Sequence, residues 1–375
     1  MKYYLLGRSG LRVSEICLGA MTFGEEWGWG ASKDECRKIF NAYVDAGGNF
    51  IDTANKYTEG TSEKYIGEFI ASDRDRFVLA TKYTSNTRRG DPNAGGNHRK
   101  SMVQSLEASL QRLNTDYVDL YWVHAWDQTT PVEEMMRALD DMIKAGKILY
   151  AGISDAPAWV VSQANTLANL RGWTEFTGLQ IEYSLIERTP ERELLPMASA
   201  LDIGVTAWSP LGNGLLTGKY DKNKEQQQQQ PRQQQNMLSS TVAVAEGNSR
   251  LNMFKSTSPD LVNALLNERN LLIVEEVSKT AKEIGCTPAQ VALNWIRQQN
   301  LPRESKIIPI IGSRKESQIK DNLACLKYEL SDKQLQRLNE ISKIELGFPH
   351  DFLNSEMIKE IIYGGTHSSI YNHTR

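Results

Sequence analysis

The sequence predicts an α/β fold, a (β/α)8 TIM barrel with an N-terminal β-hairpin and a C-terminal extension, and three observations carry that reading. Short apolar runs alternate with helix-sized amphipathic stretches over most of the 375 residues, the order that parallel strands and crossover helices need. Eight of the runs have strand length, enough to close a barrel. Several end abruptly in titratable residues, at the strand ends where such barrels carry their active sites.

Residues 3 to 14 hold Tyr3-Tyr4-Leu5-Leu6, a Gly-Arg-Ser-Gly turn and Leu11-Arg12-Val13-Ser14, a hairpin able to plug one barrel end. Glu15 to Leu18 is the first strand. Lys33 to Ala46 is a helix, with Ser32 as N-cap and Gly47 as its stop. The run Asn49-Phe50-Ile51 stops at Asp52, and Tyr57 follows five residues later. Thr61 to Ala71 is helical, with Glu63 in the first turn, where an acid suits the helix dipole. Phe77 to Thr81 runs into Lys82. Met102, Val103, Leu106, Leu110 and Leu113 make one apolar stripe on a helix from Arg99 to Leu113. Tyr117 to Val123 runs into His124.

Pro131 to Lys144 is a helix with Pro at its start and Gly146 beyond its end. Ile148 to Ile153 is a strand ending in Ser154-Asp155, Ala158 to Leu170 a helix, and Thr177 to Ile181 a strand that contains Gln180. Glu191 to Leu201 reads as helix, and Gly204 to Ala207 as a strand ending in Trp208-Ser209-Pro210-Leu211. Residues 225 to 235 are nearly all glutamine and are expected to form a mobile surface insertion. Order resumes with helices at Leu271 to Ile284 and Pro288 to Gln299. Lys306 to Ile311 is the last strand, ending at Gly312-Ser313-Arg314. Helices at Glu316 to Ala324 and Ser331 to Ser342 follow. The tail from Phe348 to Arg375 shows no clear periodicity and is expected to help cover the substrate opening.

Composition fits one barrel domain spanning 1–375, with its core at about 13–342. Forty per cent of residues are apolar, and 43 basic residues balance 46 acidic ones, so a nucleic-acid partner is not expected. The N-terminal apolar run is too short for a signal peptide and no later run reaches membrane-spanning length, so a cytoplasmic protein without membrane insertion is expected. Cys17, Cys36, Cys286 and Cys325 have no metal-ligand spacing and read as reduced thiols; no metal is expected.

If the strands are parallel neighbours, Asp52, Tyr57, Lys82 and His124 meet at one face. Tyrosine alone is a poor acid at neutral pH, with an ordinary pKa of about 10. Lys82 is expected to lower the Tyr57 pKa, Asp52 to hold Lys82 charged, and His124 to bond the substrate oxygen. That set suits protonation of a carbonyl oxygen as hydride arrives at its carbon. No side chain supplies hydride, and no GxGxxG follows the first strand, so the barrel itself must hold a redox cofactor. Ser154, Asp155 and Gln180 could bond a carboxamide, Trp208 offers a flat face to a nicotinamide, and Gly312-Ser313-Arg314 before a helix suits a phosphate.

These residues resemble the aldo-keto reductase superfamily. The likeness rests on Val13 to Gly19, Asp52-Thr53-Ala54-Asn55-Lys56-Tyr57, Ala80-Thr81-Lys82, Leu120 to His124, Gly152-Ile153-Ser154, and Ile310 to Arg314 with Gln318 and Asn322. It implies an NADPH-dependent alcohol:NADP+ oxidoreductase acting on a small-molecule carbonyl substrate, with Tyr57 as general acid. It further implies nicotinamide contacts at Ser154, Asp155, Gln180 and Trp208, and pyrophosphate contacts at Ser209, Leu211 and Lys219. Arg314, with Gly312 and Ser313 beside it, would pair a 2′-phosphate, and Gln318 and Asn322 would reach adenine. Position 155 is Asp where the family commonly has Asn, and position 208 is Trp where Tyr is usual. An NADPH-sensing regulatory subunit, as in the potassium-channel β subunits, is the alternative, and an aldolase using Lys82 as a Schiff-base nucleophile a third. Monomer and homo-oligomer both stay open.

Overall fold

The computed structural model describes residues 1–218, 265–299 and 306–371. Lys219 and the glutamine tract at 225–235 lie outside the described residues. Two short strands, β1 (Tyr3–Leu5) and β2 (Arg12–Ser14), pair antiparallel as the expected hairpin. Eight parallel strands then close a barrel: β3 (Cys17–Gly19), β4 (Phe50–Asp52), β5 (Val78–Tyr83), β6 (Val118–Val123), β7 (Ile148–Ser154), β8 (Phe176–Glu182), β9 (Gly204–Trp208) and β10 (Ile307–Gly312). Closure is made by β10 on β3, with Ile311 opposite Leu18.

The barrel interior is a dry layer of side chains. Phe50, Val78, Ala80, Leu120, Trp122, Ile308 and Ile310 share it with Leu6 and Val13 of the hairpin. The hairpin therefore plugs the barrel, and Leu6 sits so close to Gly204 that a Cβ there would come within 2.7 Å of it. Trp122 fills the space above β7 and β8 because Gly152 and Gly178 lack side chains. An added Cβ would lie 2.3 and 2.8 Å from its ring, respectively. Outside, the stripe on the helix Arg99–Leu113 is buried at Met102, Leu106, Leu110 and Leu113 as its spacing predicts.

Two expectations need correction. The helix read at Glu191 to Leu201 begins as a 3-10 turn, Thr189–Glu191, and is α-helical only over Leu194–Ala200. Pro196 lacks an N–H and its ring would meet the carbonyl four residues back, so the α-helix cannot extend further toward the N-terminus. The tail, which shows no periodicity in sequence, holds two short helices, His350–Asn354 and Glu356–Tyr363. Ser355 organises their junction, accepting a hydrogen bond from the Ile358 N–H as an N-cap. His350 lies 3.6 Å from Glu193, beside the helix that follows β8. Among the described residues no helix is long and apolar enough to cross a membrane.

Candidate active site

Side chains alternate across a strand, so the parity that turns Phe50, Val78, Ala80, Leu120 and Trp122 into the barrel also carries Asp52 and Lys82, one layer nearer the strand ends. There they join. The wholly buried Lys82 ammonium donates to Asp52 Oδ2, to the Thr53 carbonyl at 2.9 Å and to Tyr57 Oη at 3.3 Å. Gln180 Nε2 donates to the other Asp52 oxygen at 3.1 Å. Gln180, expected to contact a cofactor carboxamide, thus has its amide N–H on the Asp52 carboxylate. His124 completes the group, its ring edge-on to Tyr57 at 5.8 Å between centroids.

Sequence reasoning misses what aims the tyrosine. Tyr57 heads a turn in which Thr58 and Glu59 take positive φ, 45° and 54°, an uncommon backbone for such residues. One long-range and one local bond hold it there. Thr58 Oγ1 donates to the Phe23 carbonyl at 2.5 Å and accepts from the Ser62 N–H at 3.1 Å. At the end of the turn Gly60 lies under Arg112, where a Cβ would come within 2.8 Å of the side chain. Arg112 is fixed by the buried Glu63 at 2.6 Å, and Glu63 also accepts from Thr81 Oγ1 at 2.6 Å. The only signal in the sequence was Glu63 itself, read there as a helix-dipole acid. Its real partners tie the tyrosine turn to the strand that carries Lys82.

Burial decides the charges. The Tyr57 phenol is raised above its ordinary value of 10, because desolvation and the charges of Asp52 and Asp155 outweigh the lowering by Lys82. The expected lowering by Lys82 is present but outweighed, and Tyr57 stays protonated at neutral pH. For Lys82, burial lowers the pKa, but Asp52 and Tyr57 more than restore it, and the net shift is upward. Burial, with Lys82 nearby, pushes His124 down to about 3 from 6.5, so it is a neutral imidazole. An imidazole held neutral only in the folded state costs stability in acid. Its contribution is intact above pH 6.5 and is lost as pH falls toward 3, since the unfolded chain takes up the proton first. Melting temperatures measured between pH 7 and 5 should fall with pH, and His124→Asn should flatten that slope; an unchanged slope would contradict the assignment.

The expected cofactor contacts line the same rim. Ser154 is buried at the end of β7, Gln180 is buried two residues before the end of β8, and Trp208 at the end of β9 is half-buried. Trp208 Nε1 donates to Asp155 Oδ1 at 3.0 Å. Beyond it, Ser209 and Leu211 sit in the turn after β9, Ser209 Oγ bonding Asn213 at 3.1 Å. Gly312 ends the adjacent β10, and Ser313 and Arg314 follow it before the next helix. Gln318 Oε1 accepts from the Arg314 N–H at 2.9 Å, so this oxygen is engaged within the protein, and Asn322 is buried one turn further along. Among the described residues no carboxylate pairs with the Arg314 guanidinium, and Ser313 Oγ, Thr206 Oγ1 and His124 Nδ1 are buried without a hydrogen-bond partner. Unpaired donors and a free guanidinium around a polar rim fit a phosphate-bearing, amide-bearing cofactor.

Aromatic rings frame the opening. Trp27 lies edge-on to Tyr57 at 6.4 Å and beside Trp29 at 5.9 Å, and its Nε1 donates to Glu59 at 3.1 Å. Trp126 and Trp159 meet edge-on at 5.3 Å.

The model of the Aldo/keto reductase family matches residues 15–343. A norsolorinic acid reductase of Aspergillus flavus is 33% identical over 361 residues, covering 93% of this chain and 83% of that protein. A norsolorinic acid reductase of Emericella nidulans is 36% identical over 355 residues, covering 92% and 82%. An aryl-alcohol dehydrogenase (NADP(+)) of Phanerodontia chrysosporium is 35% identical over 356 residues, covering 91% and 86%.

Proposed function

The chain belongs to the aldo/keto reductase family and is an oxidoreductase; on that premise we propose that it reduces aldehydes or ketones, aromatic ones foremost, with NADPH as hydride source and Tyr57 as general acid. One observation carries the reading: a wholly buried ammonium joins a carboxylate to the phenol at the barrel rim. The Tyr57 hydroxyl bonds the carbonyl oxygen and gives it a proton as negative charge develops there. Lys82, held charged by Asp52 and the Thr53 carbonyl, stabilises the phenolate left behind. His124, neutral, donates a second hydrogen bond to the same oxygen. Ser154, Asp155, Gln180 and Trp208 would hold the nicotinamide end of the cofactor, and Ser313 and Arg314 its phosphates. When bound, the cofactor supplies the hydride.

NADPH is favoured over NADH because Arg314 needs an anionic partner, and a relative is named for NADP(+). The channel-type sensor reading is not favoured, since the relatives compared carry reductase or dehydrogenase names. The Schiff-base reading fares worse: an amine nucleophile must be neutral, whereas Lys82 is held charged by Asp52.

The relative named for aryl alcohols and the tryptophans at the mouth both support aromatic substrates. NADPH absorbance during addition of matched aromatic and aliphatic aldehydes tests this. Aldehyde-dependent oxidation is expected, faster with the aromatic member; tight binding without oxidation would favour the sensor. Trp27→Ala should raise KM for the aromatic aldehyde about three- to tenfold, the worth of one ring contact, and leave the aliphatic value nearly unchanged. An equal rise for both would remove Trp27 from the substrate wall.

A further inference from the structure

The indole of Trp208 reaches across the end of β8, from β9 to the residue after β7, and its N–H lands on the carboxylate of Asp155 at 3.0 Å. Asp155 is itself fixed. It sits in the left-handed region at φ +45°, a conformation that aspartate tolerates better than most residues. Its N–H donates to the Gln180 carbonyl at 3.4 Å and its carbonyl accepts from the Trp126 N–H at 3.3 Å. The carboxylate faces the opening and has no ion-pair partner among the described residues; the nearby Lys82 is committed to Asp52. A rigid anion thus stands at the rim beside a flat ring, within electrostatic reach of both Lys82 and Tyr57.

The hydride-bearing ring must lie within contact distance of a carbonyl held by Tyr57 and His124, which brings it against this same wall. Losing hydride turns that ring from neutral to cationic. Resting on the NADPH reading above, we propose that Asp155 and Trp208 form one positioning unit in which Trp208 supplies the flat wall and the Asp155 carboxylate favours the oxidised, cationic ring over the reduced, neutral one. Asp155 thereby drives hydride out of the bound cofactor and toward the carbonyl carbon, whose oxygen takes its proton from Tyr57. An asparagine at 155 would keep an acceptor for the indole N–H, remove the charge and add an N–H donor, and only the loss of charge distinguishes the cationic ring from the neutral one.

Calorimetric dissociation constants for NADP+ and NADPH on the wild type, Asp155→Asn and Trp208→Phe test the proposal without turnover. Asp155→Asn should weaken NADP+ about tenfold and change NADPH by less than about twofold, as expected for one unpaired charge in a partly screened site. Trp208→Phe should weaken both nucleotides by similar factors and keep their ratio. Equal shifts of both nucleotides in Asp155→Asn, or none, would overturn the charge assignment while leaving the function standing, as would a ratio that collapses only in Trp208→Phe. A wild type that binds neither nucleotide would overturn the NADPH reading and this proposal with it.

Discussion

Tyr57→Phe is expected to lower turnover about 10²- to 10⁴-fold, the usual worth of a positioned general acid, while NADPH binding stays intact. The substitution removes one hydroxyl and little else. The ring keeps its edge contacts with Trp27 and His124, at 6.4 and 5.8 Å, so the turn has no packing reason to move. Lys82 loses one acceptor but retains Asp52 and the Thr53 carbonyl, so no buried charge is stranded. Steady-state kinetics beside an NADPH titration checks this. Loss of activity together with loss of binding would point to a collapsed site rather than a missing acid.

Lys82→Met is expected to remove turnover as well, and to destabilise the fold by about 3–5 kcal/mol, the range for breaking a buried ion pair. Both side chains are essentially out of water, at 0% and 4% exposure, so Asp52 would be left as a buried carboxylate with Gln180 as its remaining side-chain donor. Adding Asp52→Asn should recover most of the stability, because a neutral amide needs no counter-charge, yet none of the activity. Urea denaturation of the single and double variants separates the two effects. A Lys82→Met protein as stable as the wild type would show that the pair is solvated.

Much of this site is legible from strand periodicity. Asp52 and Lys82 follow apolar runs whose inward parity leads to the barrel rim, and the hairpin plug follows from two short runs around a Gly-Arg-Ser-Gly turn. Contacts made across the barrel are not legible in this way. That Gln180 bonds Asp52, 128 positions away, depends on where β8 stands relative to β4 after closure. The positive φ of Thr58 is held by a long-range bond to the Phe23 carbonyl and a local one from Ser62, so no glycine marks the strain at Thr58 and Glu59. The direction of the Tyr57 shift turns on how completely water is excluded, a property of packing that residue types alone do not fix. Likewise Asp155 and Trp208 stand out singly in the sequence, and only the folded barrel shows that they touch.

The most direct test of the central claim is a single turnover. Wild type and Tyr57→Phe are each loaded with one equivalent of NADPH and mixed rapidly with an aromatic aldehyde, and the cofactor absorbance is followed, which isolates the chemical step from product release. The wild type should lose the signal in one fast phase, while the variant holds its NADPH bound and unoxidised over the same interval. Equal rates in the two proteins would contradict the assignment of Tyr57 as the proton donor.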